Sequence, residues 1–278
     1  MTLDDLTQTF ANLRQAWRSD WPGLPQVVQA CLSQLGFHGQ HLPVRFQHIH
    51  ACLQTLSVLM EQEGRALADQ HQEPPYHNRL HTADTLVALT TLLLQSRGFE
   101  KSKRLAQTPS AREWIGLLAM LGHDFRHPGQ INRFTHDIES ASVAHLRPIM
   151  NQCGVSRSDQ QSIATLILFT DPTQVAALHQ KWREQGHFDL ANLECLAILL
   201  EEADILASCL PSSGPALGES LKQEWLRIPF AAAHSVATAA GRRGFLTAAR
   251  FSSPASLSLA IPQSVAEQLN LNAEVQRT

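Results

Sequence analysis

The 278-residue sequence is poor in charge: Asp, Glu, Lys and Arg make up 17%, and the formal net charge is −3. Charge this sparse is not the signature of a disordered chain. Without any Lys/Arg block, the slightly acidic balance gives no footprint for a nucleic acid polymer. Cysteine is scarce and scattered, and Cys31, Cys52, Cys153, Cys195 and Cys209 form no C-x-x-C pair. That reads as reduced intracellular thiols, not a disulfide frame. No uninterrupted apolar run approaches the ~18 residues of a membrane span. Residues 1–10 carry two Asp and no apolar core, unlike a signal peptide. A cytoplasmic protein without membrane contact is the expectation. Period-2 alternation is nearly absent, and neither a hairpin signal nor a fixed-period repeat stands out.

What is present is helical. Hydrophobic residues reach 44%, enough for a sizeable core. Leu3, Leu6, Phe10, Leu13 and Trp17 repeat at helical spacing, as do Ile49, Cys52, Leu53, Leu56 and Leu59. Pro74-Pro75 breaks the chain before an apolar helix over 86–94, and residues 96–110 read as a polar, basic linker or surface loop. Further helices are expected over 137–150, 156–169, 172–185 and 190–206. Residues 209–220, rich in Pro, Gly and Ser, read as a loop. Residues 221–240 read as helix with a break or start at Pro229, 241–254 as mixed, and Pro262 opens a last short helix through 269. The fold class is all-α, a compact multi-helix bundle. It forms a single domain over 1–278, with a helical N-terminal portion (1–70) and a core (71–262).

Three polar clusters interrupt this pattern. His77 and His81 are four apart, which on a helix gives one face, with Asp84 three further on. His123-Asp124, with His127, closes an apolar helix just before Pro128-Gly129. Glu201, Glu202 and Asp204 close another, where three carboxylates near a C-terminal end oppose the helix dipole and a cation would resolve the conflict. Taken singly, a polar helix face or a solvated helix end explains each. Together they offer His81, His123, Asp124 and Asp204 from separate helices, a donor set that suits a bundle-core metal site.

The residues Tyr76-His77-Asn78-x-x-His81-x-Ala83-Asp84, followed by His123-Asp124-x-x-His127-Pro128-Gly129-x-x-Asn132-x-Phe134, closely resemble the catalytic domain of class I 3′,5′-cyclic nucleotide phosphodiesterases, within the HD metal-dependent phosphohydrolases. Glu139-Ser140, Thr170-Asp171 and Ala203-Asp204-Ile205 follow in the order of that family, so the resemblance covers about residues 70–260. It implies an all-helical bundle that hydrolyses a cyclic nucleotide such as cAMP or cGMP to the 5′-monophosphate, through a hydroxide bridging two metals. His81, His123, Asp124 and Asp204 would bind the first metal, Zn²⁺ in the family. Asp124 would bridge to a second, Mg²⁺ or Mn²⁺, whose waters His127, Thr170 and Glu139 would order. His77 would be the general acid, with Asn78 and Asp84 in support. The partner implied is a small-molecule cyclic nucleotide, and the chain would be a catalytic domain without an appended sensory domain.

The chain also departs from the family pattern. The family reads the purine with a Gln two residues before Gly-Phe-Ile, and here Arg242-Arg243-Gly244-Phe245-Leu246 stands in its place. Phe245 would clamp the base, with Tyr76 nearby, but Arg242 offers donors only where an amide offers both donor and acceptor. Ala207 replaces an Asn common in the family, and the segment between Asp124 and Glu139 is short. If Glu139-Ser140 matches the Glu-Ser pair of the family, its water-ordering Glu falls at Val143. Three alternatives to cyclic nucleotide hydrolysis therefore stay open. They are an HD-type metalloprotein acting on another phosphorylated nucleotide, a nucleotide-binding regulatory protein without turnover, and di-iron oxygenation.

Overall fold

Many of the helices start where the sequence supplies a side-chain cap. The Asp5 amide donates to the Thr2 hydroxyl and the Thr2 amide donates back to the Asp5 carboxylate, and Ser110 and Glu113 repeat the exchange. Asn78, Ser156, Asp171, Asn192, Thr238 and Ser253 each accept from an amide of the first turn they precede. The computed structural model describes residues 2–37, 42–99 and 110–275. The helices in order are α1 (Leu3–Ser19), α2 (Leu24–Gln34), α3 (Val44–Asp69), α4 (Arg79–Arg97), α5 (Ala111–Gly122), α6 (Asp137–Gln152) and α7 (Arg157–Phe169). There follow α8 (Pro172–Gln185), α9 (Leu193–Cys209), α10 (Gly214–Trp225), a 3-10 turn (Ala231–His234), α11 (Ala239–Ala248), α12 (Pro254–Ser258) and α13 (Ile261–Val275). No strand occurs among the described residues, and no helix there is long and apolar enough to cross a membrane. The loop expected over 96–110 lies mostly outside the described residues.

Helix α4 is the axis. It is buried on nearly every side and packs chiefly on α9, with α2, α5 and α1 around the rest. That explains why its middle, over 86–94, is almost entirely apolar and threonine. One apolar cluster runs from Leu6 and Phe10 of α1 through Leu86, Leu118 and Leu200 to Ile261.

Four expectations need correction. His77 precedes α4 and does not share a helical face with His81, because Asn78 caps the helix and accepts from the Leu80 and His81 amides. Residues 209–220 are not all loop: α10 starts at Gly214, where Pro215 in the first turn is compatible with a helix start. The helix expected over 221–240 ends at Trp225, resumes as a 3-10 turn, and gives way to α11 only at Ala239. Finally, α9 runs on to Cys209, so Glu201, Glu202 and Asp204 sit inside the helix and not at its end.

Glu61 of α3 ties the first half of the bundle together. Buried at 6% exposure, it accepts from the Leu24 amide at 2.8 Å, Trp21 Nε1 at 3.0 Å, Arg65 Nε at 2.7 Å and Arg79 Nη1 at 2.6 Å. Removing it strands the Leu24 amide and leaves Arg79 with Glu73 as its remaining carboxylate partner. Glu61→Ala is therefore expected to cost about 1–3 kcal/mol of stability in denaturant titration. A loss below ~1 kcal/mol would show that water replaces the carboxylate.

Candidate metal centre

Three helices bring four ligand groups to one point. His81 comes from the first turn of α4, His123 and Asp124 from the end of α5, and Asp204 from the middle of α9. One ligand atom from each lies within 4.8 Å of all the others. His81 Nε2 is 3.2 Å from both Asp124 Oδ2 and Asp204 Oδ1, and His123 Nε2 is 3.1 and 3.4 Å from the same two atoms. Both imidazole nitrogens are buried, yet neither meets hydrogen-bond geometry with any partner. The four groups point past one another toward a common centre.

The local sequence explains the aim. α5 ends at Gly122, so the Met120 carbonyl lacks a helical partner and accepts from His123 Nδ1 at 2.7 Å. That bond puts the proton on Nδ1 and leaves the Nε2 lone pair free, the tautomer a metal ligand needs. On α4, Asp84 is buried one turn from His81 and held by both terminal nitrogens of Arg14, at 3.1 and 2.7 Å. The other acids of α9 are used elsewhere. Glu202 accepts from the Ser252 and Ser253 amides and from the hydroxyls of Ser253 and Ser256. Glu201 lies 3.1 Å from buried His179, and burial pushes the carboxyl up to about 9 and the imidazole down to about 4. Only Asp204 faces the cluster. The dipole conflict is thus resolved by burial and serine donors for two of the three acids, without a cation.

The donor set fits a divalent cation. Two carboxylates and two neutral imidazoles carry a charge of −2, and without a cation protons must supply the balance. Burial alone would depress His81, but Asp124 and Asp204 outweigh it and raise the imidazole to about 9. His123 is likewise held well above its ordinary value, and both carboxylates are pulled well below theirs by the imidazoles. The linkage has a definite sign. A folded-state pKa near 9 against 6.5 unfolded gives stability that is complete below pH 6.5 and lost as pH rises through 9. Chelator-treated protein is therefore expected to lose up to roughly 3 kcal/mol between those limits, read from thermal melts. Protein melted with excess Zn²⁺ should not show that loss. A flat profile for the chelated protein would rule out proton occupancy of the cluster.

A second group, His77, Asp124 and His127, adjoins the first through Asp124. The His77 and His127 rings stack at 3.7 Å. The backbone between His123 and His127 doubles back through Arg126, whose φ of 60° is left-handed and whose guanidinium is held by Glu63 at 3.0 Å. His127 Nδ1 accepts from the Gly129 amide at 3.1 Å, which leaves Nε2 as the donor. Burial, reinforced by the neighbouring His77, pushes His127 down to about 3, so it stays neutral.

The sequence offered no sign of Glu224. This α10 residue, 1% exposed, accepts from His77 Nδ1 at 2.5 Å and from the Tyr76 and His77 amides at 2.9 and 3.0 Å. Burial opposes its charge, but these donors prevail and lower it to about 2. Gly129, at φ 66°, passes so close that an added Cβ would lie 3.3 Å from Glu224 Cγ.

The remaining expected residues fall at varying distances from this centre. Glu139 binds the Asn132 amide and belongs to a separate group with His136 and Asp171, although the charge of Asp124 contributes to its raised pKa after burial and Asp171. The buried Thr170 hydroxyl donates to the Ile167 carbonyl. Tyr76, Phe245 and Arg242 line one pocket together, and the Tyr76 ring lies 4.8 Å from both His77 and His81. The chain matches no family model and no curated protein. Fold and geometry together define an all-helical protein with a buried His/Asp cluster suited to a metal ion.

Proposed function

We propose that the chain is a metal-dependent phosphodiesterase of the class I cyclic nucleotide type, cleaving a 3′,5′-cyclic nucleotide to its 5′-monophosphate. The observation that carries this reading is the convergence of His81, His123, Asp124 and Asp204, with two buried imidazole nitrogens left unsatisfied, beside a histidine held by a buried carboxylate. His81, His123, Asp124 and Asp204 would hold Zn²⁺, and Asp124 would also face Mg²⁺ or Mn²⁺ on the His127 side. Divalent cations there supply positive charge against the phosphoryl oxygens and acidify an attacking water.

The residues of the chain do the rest. Glu224 accepts a hydrogen bond from His77 Nδ1–H, which fixes the ring and leaves Nε2 to carry a proton toward the reacting group. An alkoxide is a poor leaving group, and a positioned imidazolium that protonates it contributes ~10²–10⁴-fold. His127, neutral and donating from Nε2, orients an oxygen on the same side. Tyr76 walls the cluster from the apolar pocket.

The test is hydrolysis of cAMP and cGMP by metal-stripped protein resupplied with Zn²⁺, Mg²⁺ or Mn²⁺. Metal-dependent release of the 5′-nucleotide is expected. Cleavage of bis(p-nitrophenyl) phosphate alone would keep the metal chemistry and move the substrate elsewhere. Silence on all three would favour a binding protein, and oxygen-dependent chemistry with iron would replace hydrolysis altogether.

A further inference from the structure

Two of the five thiols meet where the end of α6 crosses α3. Cys52 stands in the middle of α3 and is fully buried in the main apolar cluster. Cys153 directly follows the last residue of α6 and is half-buried against the same cluster. Its Sγ lies 3.8 Å from Thr55 Oγ1, and an added Cβ on Gly154 would lie 3.4 Å from the His48 ring. Positions 48, 52 and 55 share one face of α3. Residues 153–154 therefore lie across that face, with Cys52 between their two contacts. Burial raises Cys52 above the ordinary thiol range, and its interaction with the Cys153 thiol raises it further.

The two thiols differ in access and in freedom. Cys52 is fixed inside a 26-residue helix, and burial keeps its sulfur protonated. Cys153 is partly open to solvent, and Gly154 after it turns at φ 75°. A helix end followed by glycine can adjust to the Cα spacing of roughly 4.4–6.8 Å that a disulfide needs. No third His, Cys, Asp or Glu joins the pair in a metal site among the described residues. Thiol oxidation is the chemistry left to them.

We propose that Cys52 and Cys153 form a reversible disulfide when the protein meets a hydroperoxide, with Cys153 reacting first. The Cys153 sulfur, as its thiolate, attacks one oxygen of hydrogen peroxide. The O–O bond breaks, and the hydroxide that leaves takes the thiol proton to become water, leaving a sulfenic acid. The Cys52 sulfur then attacks that of Cys153. An S–S bond forms, the S–O bond breaks, and the oxygen departs as water with the Cys52 proton. Two thiols lose two electrons in all, and one peroxide gains them. A dithiol reverses the bond by exchange. The disulfide closes a loop of about 100 residues, long enough for cross-linking to stabilise the fold strongly. That loop holds α4, α5 and the ligand groups His81, His123 and Asp124. Nothing in this chemistry depends on phosphodiester hydrolysis.

The experiment treats the full chain with a slight excess of hydrogen peroxide, alkylates it in denaturant and counts blocked thiols by intact mass. Five should be alkylated before treatment and three after, with one peptide joining Cys52 to Cys153. Dithiothreitol should restore all five. The oxidised form should melt roughly 5 °C or more above the reduced one. Cys153→Ser, which leaves the core untouched, should keep its four thiols under the same peroxide. Cys52→Ala should stop at a sulfenic acid on Cys153 that dimedone traps. Five thiols retained, a cross-link through Cys31, Cys195 or Cys209, or Cys153 carried to sulfinic acid with Cys52 still free would each overturn the proposal. So would an oxidised form that melts below the reduced one, since the two sulfurs would then have been forced together.

Discussion

Asp204→Ala is expected to empty the centre of metal and to lower hydrolysis by about 10³-fold or more. Losing a group that merely supports a ligand costs 10–100-fold in affinity or activity, and Asp204 is placed as a ligand itself. Of the three acids on α9, it alone faces His81 and His123, at 3.2 and 3.4 Å. After its removal two imidazoles and one carboxylate remain, with half the negative charge to hold a dication. The measurement is metal content by elemental analysis alongside turnover. A variant that keeps both stoichiometric metal and full rate would remove Asp204 from the ligand set. Glu201→Gln is the matched comparison one turn away. Its carboxyl is already neutral beside His179, so the amide should leave metal content within a factor of two.

The second large effect separates chemistry from metal binding. His77→Asn and Glu224→Gln are each expected to cut kcat by about 10²–10⁴-fold while metal content stays at the wild-type level. Glu224→Gln is the sharper probe. One amide oxygen can still accept from the backbone of residues 76 and 77, but the NH₂ group then faces His77 Nδ1 and favours the tautomer protonated on Nε2 only. The ring keeps its place but no longer donates from Nδ1 to a carboxylate. The acid-stability profile gives an independent readout. With Glu224 at about 2 in the fold and 4.5 unfolded, its contribution is complete above pH 4.5 and vanishes as pH falls toward 2. The Gln variant should lack that acid limb, worth roughly 3 kcal/mol. If metal leaves with His77→Asn, the histidine is a ligand and not an acid.

Much of the helical pattern was open to reading because caps are local. α8 coincides with its expected span, 172–185, since Asp171-Pro172 starts a helix and Gly186 stops one within a few residues. α10 escaped for the converse reason: Gly214 and Pro215 suit a turn and a helix start equally, and the choice was made by Leu217 packing into the core. His77 and His81 were misplaced onto one helical face because spacing cannot reveal that Asn78 caps between them. Three of the four groups of the His/Asp cluster lie in short-range motifs at 76–84 and 123–129, which is why they could be picked out together. Glu224 lies 147 residues beyond His77 in the chain, and nothing around it in α10 sets it apart from a surface acid. Nor could position on α9 tell Asp204 from Glu201 and Glu202. Which of the three meets an imidazole depends on which helices pack against each side.

The Arg14–Asp84 pair bears on how small the working unit can be. Arg14 belongs to the first helix, and the carboxylate it neutralises lies one turn from His81. Arg79, at the start of that same helix, is held by Glu61 from α3. A fragment beginning near residue 70 would keep the His and Asp residues that the motifs supply and the Arg79–Glu73 pair, but would lose Arg14 and Glu61, two partners that anchor α4. It would leave a buried Asp without its counter-ion and the Leu86–Leu93 side of α4 open to water. Proteolytic release of the first seventy residues should therefore inactivate the protein by melting, with metal loss as its consequence. The N-terminal helices thus act as an intramolecular clamp on the helix that carries His81.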